Sequence, residues 1–125
     1  MKKQHIFNFA VAYADTDASG IMYHARYIEI AERARSNWSK DMVIPKGDIG
    51  FVVRALNIKY MSPLLLNDEF KVETKTIKIG AASLEVEQKF VKDDKICAIM
   101  NITIAYIGEG MRPKAMPESI VKMLD

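Results

Sequence analysis

Only one stretch of this 125-residue chain carries a long helical period, and the segments around it read as strands. Between about Gly20 and about Ser39, Tyr23, Tyr27, Ile30, Ala31, Ala34 and Trp38 recur at helical spacing and form one apolar stripe. On the other side, Glu29 with Arg33 and Glu32 with Arg35 are spaced to pair. A single stripe of this kind needs a covering layer, and no second long helix is available. The cover has to be a sheet.

The rest of the chain supplies one. "HIFNFAVAY" places Phe7, Phe9, Val11 and Tyr13 on one face at period two, which predicts a strand before the helix. A loop with Pro45, Gly47 and Gly50 ends the helix, and four strand-like segments follow: "FVVRALNIKY", "EFKVETKTIKI", "SLEVEQKFVK" and "KICAIMNITIAYI". Apolar Phe70, Val72, Leu84 and Val86 alternate with Lys and Glu, and the connections at Gly80 and Asp93-Asp94 are short. One-sided strands with short turns predict an antiparallel sheet. Pro113 and Pro117 lead into a short terminal helix, "PESIVKMLD". The expected fold is α+β in two layers, with residues 1–125 as a single domain.

Several function classes drop out early. With 18 basic and 16 acidic side chains the net charge is 18 − 16 = +2, and no basic cluster points to nucleic acid. One cysteine, Cys97, excludes an internal disulfide and suits a reducing compartment; its apolar strand predicts a buried, inert thiol. The basic N-terminus alternates and lacks the apolar run of a signal peptide. No apolar run approaches ~20 residues, so no transmembrane segment is expected and the cytoplasm is the expected compartment.

The chemistry concentrates in "DTDASGIMYHARY", Asp15 to Tyr27. Asp15, Asp17, Ser19 and Gly20 match positions of a calcium-binding loop, but the closing glutamate position holds Arg26 and no helix precedes the turn. A helix cap accounts for one acid, not for two acids, a glycine and a histidine. A strand-to-helix turn also offers backbone N–H groups to a developing oxyanion, and a carboxylate to activate water or attack a carbonyl. Gly20 allows close approach of a substrate, while His24 and Tyr13 flank Asp17. On the residues alone, cap and catalytic turn both stand. His5, the other histidine, is expected near the terminus in solvent.

"YADTDASGIMYHARYIEIAERAR" resembles the opening of hotdog-fold thioesterases of the 4-hydroxybenzoyl-CoA thioesterase family, most closely the Tol–Pal-associated acyl-CoA thioesterase branch. The likeness resumes at "FVVRALNIKYMSPLLLNDEF", "GAASLEVEQ" and "MRPKAMPESI". The resemblance implies a long helix wrapped by a five-stranded antiparallel sheet in order 1-3-4-5-2. It further implies pairing of two copies edge to edge, thioester sites at their interface, and a homodimer or homotetramer. By position, the catalytic carboxylate falls on Asp17, with Tyr13 and His24 as its companions and Asp15 supporting the turn. Ser19 stands where close relatives often carry glycine.

The expected activity is hydrolysis of an acyl-CoA, or acyl-carrier-protein, thioester, with no cofactor and no metal. Expected substrate contacts are Gly20, Met22 and Tyr23 in the turn. By resemblance, the pantetheine arm passes Ser62 and Pro63 and the Gly80 to Ser83 turn. Lys59, Lys78, Arg112 and Lys114 are the cations available to phosphates. Arg54 interrupts the alternation of Val52, Leu56 and Ile58, and Leu64-Leu65-Leu66 predicts a subunit contact or an acyl channel. Two rival readings are a hotdog dehydratase, whose motifs are missing, and a non-enzymatic acyl-thioester binder or docking module for phospholipid-synthesis or envelope proteins.

Overall fold

The structure, a computed structural model, describes residues 3–124; the basic start at Met1 and Lys2, and Asp125 at the end of the expected terminal helix, lie outside the described residues. In chain order the elements are β1 (Gln4–Ala10), a single 3-10 turn (Tyr13–Asp15), α1 (Arg26–Trp38), β2 (Gly50–Tyr60), β3 (Glu69–Ile79), β4 (Ser83–Lys92) and β5 (Lys95–Ile107). A second 3-10 turn (Glu109–Met111) and α2 (Glu118–Met123) complete them. The five strands form one antiparallel sheet in the order β1-β3-β4-β5-β2, as the resemblance implies.

The sheet wraps α1. Tyr27, Ile30, Ala31, Ala34 and Trp38 are buried on its inner side, against Phe70, Val72, Leu84, Val86, Phe90, Met100 and Ile102. Each such large side chain contributes about 1.5–3 kcal/mol by leaving water. Ala31 and Ala34, fully buried, let the helix sit close on the strands. A bulkier residue at either position would overpack the layer and cost about 1–3 kcal/mol. A smaller cluster of Tyr106, Met116 and Ile120 seats α2 at one end of the sheet.

The middle of the sheet matches the alternation that predicts it. β4 and β5 meet at Asp93 and Asp94, whose φ values of 47° and 63° are those of the tight two-residue hairpin turn. One polar residue interrupts the core: Gln88, on β4, faces α1. Its amide nitrogen donates to the Ala31 carbonyl at 3.0 Å and to Thr74 Oγ1 at 3.1 Å, so burial leaves it satisfied.

Four expectations need correction. First, α1 begins at Arg26, not near Gly20, because residues 16–22 are held in extended bridges: Thr16 with Met22 inside the turn, and Ile21 with the distant Leu65. His24 therefore lies ahead of the helix, and Tyr23 is not on its buried stripe. Second, β1 stops at Ala10, and Tyr13 opens the 3-10 turn with 82% of its surface exposed instead of sharing the face of Phe7 and Phe9.

Third, the helix charges find other partners than those spaced for them. Arg26 pairs with Glu29 at 2.7 Å, Arg33 stacks over the Phe9 ring at 5.5 Å, and Arg35 donates to Gln88 Oε1 at 2.9 Å. Fourth, His5 is not simply solvated. It is half-buried, with Nε2 2.8 Å from Asn37 Oδ1 on α1.

β2 lies at the sheet edge and pairs with β5 alone. Its register slips between Val53 and Ala55, so Arg54 is a bulge residue outside the ladder. That slip breaks the expected alternation. Val53, Leu56 and Tyr60 stay substantially exposed along the strand. Among the described residues no helix is long and apolar enough to cross a membrane.

Candidate active site

The Asp-rich turn is fastened by its main chain before any side chain acts. Met22 N–H donates to the Leu64 carbonyl at 2.7 Å, Leu66 N–H to Gly20 at 3.3 Å, and Tyr23 N–H to Asp15 at 2.8 Å. Gly20 sits at φ +82°, a left-handed conformation that glycine adopts without steric cost. The turn 16–23 is thus laced to the connection 62–66 that leads from β2 to β3.

The two aspartates divide the work. Asp15 Oδ2 accepts from Ala12 N–H at 2.8 Å, and its Oδ1 takes the Arg26 guanidinium at 2.7 Å. Arg26, the residue that breaks the calcium spacing, is the cation that holds the carboxylate. Burial pushes the Asp15 carboxyl up, but the Arg26 hydrogen bond and the Ala12 N–H outweigh it, and the net shift is downward. Asp15 supports the turn.

Asp17 is exposed, with Oδ1 held by the Ser19 hydroxyl at 2.5 Å and the Ser19 N–H at 2.8 Å. Ser19's hydroxyl, then its N–H, hold the Asp17 carboxyl below the usual carboxylate range, with smaller contributions from Ile21 N–H and the nearby His24. It is an ionised carboxylate facing open space. That space is a cavity of about 470 Å³ lined by Asp17, His24, Tyr27 and Tyr60, with Met61, Ser62 and Pro63 along its wall. Ile21 and Met22 close its floor. The size lies in the range of small-molecule sites, roughly 300–1,000 Å³.

His24 packs its ring on Tyr23, centroids 4.4 Å apart, and its main-chain carbonyl accepts from the Tyr60 hydroxyl at 2.6 Å. Tyr60 meets Tyr27 edge-on at 5.1 Å, which tethers the end of β2 to the start of α1. Arg26 N–H already donates to Tyr23. Among the described residues no acceptor takes the N–H of His24 or Ala25. Two orphan donors therefore stand at the helix start, next to the cavity that Asp17 and His24 line. Such donors stabilise an oxyanion, and the carboxylate activates water or attacks a carbonyl.

The residues expected from the sequence divide into three sets. Asp17, His24, Met22, Ser62 and Pro63 line one cavity, with Gly20 and Tyr23 in the turn that shapes it. Tyr13 is on the same turn, but outside that lining. Gly80 and Ser83, bonded to each other through Gly80 N–H and the Ser83 carbonyl at 2.8 Å, lie at the far end of the sheet. Ser83 pairs with Ala105, which pairs with Val52, whereas Tyr60 marks the site end of β2. Eight residues of strand separate them, on the order of 25 Å. One chain does not bring those two sets together.

Other expectations resolve singly. Lys114 is not free for a phosphate: it clamps Asp48 at 2.9 and 3.2 Å. Leu64 is fully buried, while Leu65 and Leu66 stay exposed beside the site. Cys97 is buried, and burial pushes its thiol up, as suits an inert residue. Tyr60 was not among the expected site residues. Its contact with His24 spans 36 residues, and no local pattern signals such a pair. Among the described residues, no group of three or more His, Cys, Asp or Glu is placed to hold a metal ion.

A sequence profile described as "Thioesterase-like superfamily" matches residues 11–124. The acyl-CoA thioesterase YbgC of Haemophilus influenzae is 31% identical over 121 residues, covering 91% of this chain and 89% of that protein. Among solved structures, a probable thioesterase from Bartonella henselae superposes with a TM-score of 0.81 at 30% identity, covering 91% of this chain and 99% of the other. A 4-hydroxybenzoyl-CoA thioesterase variant, bound to 4-hydroxybenzoyl-CoA, superposes at 0.84 with 13% identity over 98% and 99% of the chains, a likeness of fold.

Proposed function

The chain belongs to the thioesterase-like superfamily, and from that premise we propose that it is an acyl-CoA thioesterase, releasing a free acid and a thiol. The observation that carries this is the ionised Asp17 carboxylate facing a cavity that His24 also lines, with the unbonded His24 and Ala25 N–H groups at the adjoining helix start.

In this reading the thioester carbonyl oxygen is directed at the N–H groups of His24 and Ala25. They stabilise the negative charge as the carbonyl carbon becomes tetrahedral. Asp17 acts on that carbon in one of two ways. As a general base it takes a proton from water, whose oxygen bonds to carbon as the C–S bond breaks. As a nucleophile it forms a mixed anhydride that water then opens. In both, the departing sulfur gains a proton, and His24 is the nearby group suited to move it. Tyr13, on the same turn, is assigned an assisting role at the rim. Single turnover in oxygen-18 water tests the second route: label in the Asp17 side chain, placed there when water attacks the aspartyl carbon of the anhydride, marks the nucleophile.

We assign the active unit as a homodimer, itself able to pair into a homotetramer. β2 presents an open edge with Val53, Leu56 and Tyr60 exposed, the kind of edge that pairing removes. Antiparallel pairing of two β2 strands would set Tyr60 of one copy against the Val52 end of the other. The second copy's Gly80 to Ser83 turn would then approach the first copy's Asp17 cavity, supplying the pantetheine contacts one chain lacks. Lys59, Lys78 and Arg112 remain as phosphate partners. An acyl carrier protein is a second possible thioester donor, and the cytoplasm, consistent with the free buried Cys97, is the assigned compartment.

Thiol release from a panel of acyl-CoAs of graded chain length, by purified protein and by Asp17→Asn, is the test. Turnover that the substitution removes supports the assignment. Binding without turnover would instead make the chain an acyl-thioester carrier or docking module, and hydration or dehydration products would make it a dehydratase.

A further inference from the structure

We propose that Asp68 is a positioning residue for the Asp17 site: its carboxylate, anchored by Lys92, holds Leu65 and through it the Asp-rich turn, without touching the cavity. This rests on the thioesterase reading above. Asp68 stands between the connection 62–66 and β3, and it is not part of the Asp17 cavity's lining.

Every polar group of Asp68 is committed. Oδ1 takes the ammonium of Lys92, the last residue of β4, at 2.8 Å, and Oδ2 accepts from Leu65 N–H at 2.7 Å. Its own N–H donates to the Leu65 carbonyl at 2.9 Å, and its carbonyl accepts from Val11 N–H at 2.8 Å. Asn67, at φ 70°, completes this tight turn and donates its N–H to the Val11 carbonyl at 2.9 Å. The Asp68 side chain is only 15% exposed. Lys92 first, then the Leu65 N–H, hold its carboxyl below the usual carboxylate range.

The residues held in this way flank the Asp-rich turn on both sides. Val11 precedes Ala12, whose N–H donates to Asp15 Oδ2. Leu65 bridges Ile21, and the carbonyl of Ile21 accepts from Asp17 N–H at 3.0 Å. The Leu65 side chain stays exposed, so the place of this residue depends on its main chain. If the carboxylate were removed, water could satisfy the Leu65 N–H but could not fix its position. The loss should therefore fall on the placement of Asp17, two main-chain steps away, more than on stability or on substrate binding.

The test is kcat per folded molecule on one acyl-CoA, with thermal melts and amide hydrogen exchange. Asp68→Ala should lower kcat by about 10-fold or more, with KM changing by less than about 3-fold. Asp68→Asn can still accept from Leu65, and Lys92→Met leaves the carboxylate in place. Both lose the ion pair, yet each should keep kcat within about 3-fold of the natural protein. A residue that only stabilised the fold would leave kcat the same in every folded variant. Exchange at the Met22 and Leu66 amides should quicken by about 10-fold in Asp68→Ala, with β5 unchanged. If Asp68→Ala does not fold, Asp68→Glu decides: it keeps the charge but carries its oxygens one methylene further, and should lower kcat several-fold. If the natural protein turns over no thioester, the thioesterase reading fails and the exchange result alone decides whether Asp68 holds the turn. Unchanged kcat in folded Asp68→Ala or Asp68→Glu, an equal loss in Lys92→Met, or unaltered exchange at Met22 and Leu66 would each overturn the proposal.

Discussion

Tyr60 holds His24 by the main chain: the phenol donates to the His24 carbonyl at 2.6 Å, and the imidazole is left out of the contact. The end of β2 thereby fixes the backbone at the start of α1, beside the cavity, while the ring packs on Tyr23 instead.

Tyr60→Phe should therefore lower kcat more than it raises KM. A lost hydrogen bond of this kind is worth about 0.5–1.5 kcal/mol, or roughly a 2- to 12-fold fall in rate if all of it positions the transition state. The ring contact with Tyr27 persists, so the melting temperature should change little. An unchanged kcat would show that the turn holds its shape without this bond.

Asp17→Asn keeps the size of the side chain and its ability to accept from Ser19, but cannot serve as base or nucleophile. We expect kcat to fall by roughly 10²–10⁴-fold with stability nearly unchanged. Asp15→Asn should cost less activity and more stability, since Asp15 binds Arg26 and Ala12. His24→Ala should fall between the two in activity. Steady-state rates on one acyl-CoA, with thermal melts, check the order; reversal of the two aspartates would exchange their roles.

The pH profile follows from Ser19. Its hydroxyl holds the Asp17 carboxyl below 3.8, so the carboxylate is ionised throughout neutral and mildly acid conditions. The acid limb of kcat/KM that belongs to Asp17 should lie below pH 3.8, and Ser19→Ala should move it upward. An Asp17 limb centred near pH 6 would contradict the geometry.

At the other end of the molecule, buried Tyr106 donates to Asp48 Oδ2 at 2.6 Å. Burial first, then the hydrogen bond to Asp48, push its phenol up to about 12. The folded pKa lies above the unfolded value of 10.0, so this contribution is complete below pH 10 and is lost as pH rises from 10 to about 12. Denaturant titrations across that window should show the loss in the natural protein and a smaller one in Tyr106→Phe.

The edge of β2 offers a test of assembly. Leu56→Asp places a charge on the exposed strand, where it disturbs no core contact of a single chain. Light scattering at micromolar concentration should show a dimer or tetramer for the natural protein and a monomer for the variant, with activity lost alongside. A fully active monomer would exclude a shared site.

What could be read from the residues follows the range of the forces involved. β3, β4 and β5 fall on their expected bounds because alternation and tight turns are local signals. The start of α1 does not, because residues 20–22 are taken by Leu64 to Leu66, some 40 positions on, and no local pattern announces that pairing. Asp17 and His24 were legible as a motif. Tyr60, by contrast, enters the site through a tertiary contact. Arg54 read as an oddity in the alternation, and the reason is a slipped ladder that only strand pairing reveals.

The lacing of residues 16–23 to 62–66 has one more consequence. Met22 to Leu64, Gly20 to Leu66 and Ile21 to Leu65 are joined through N–H and carbonyl groups, which every residue but proline carries alike. The loop thus has a frame that does not depend on the side chains of Asp17, Ser19 and His24. Exchanging Asp17, Ser19 or His24 alters the tools without loosening the bench, so a change of chemistry here need not pass through an unfolded ancestor.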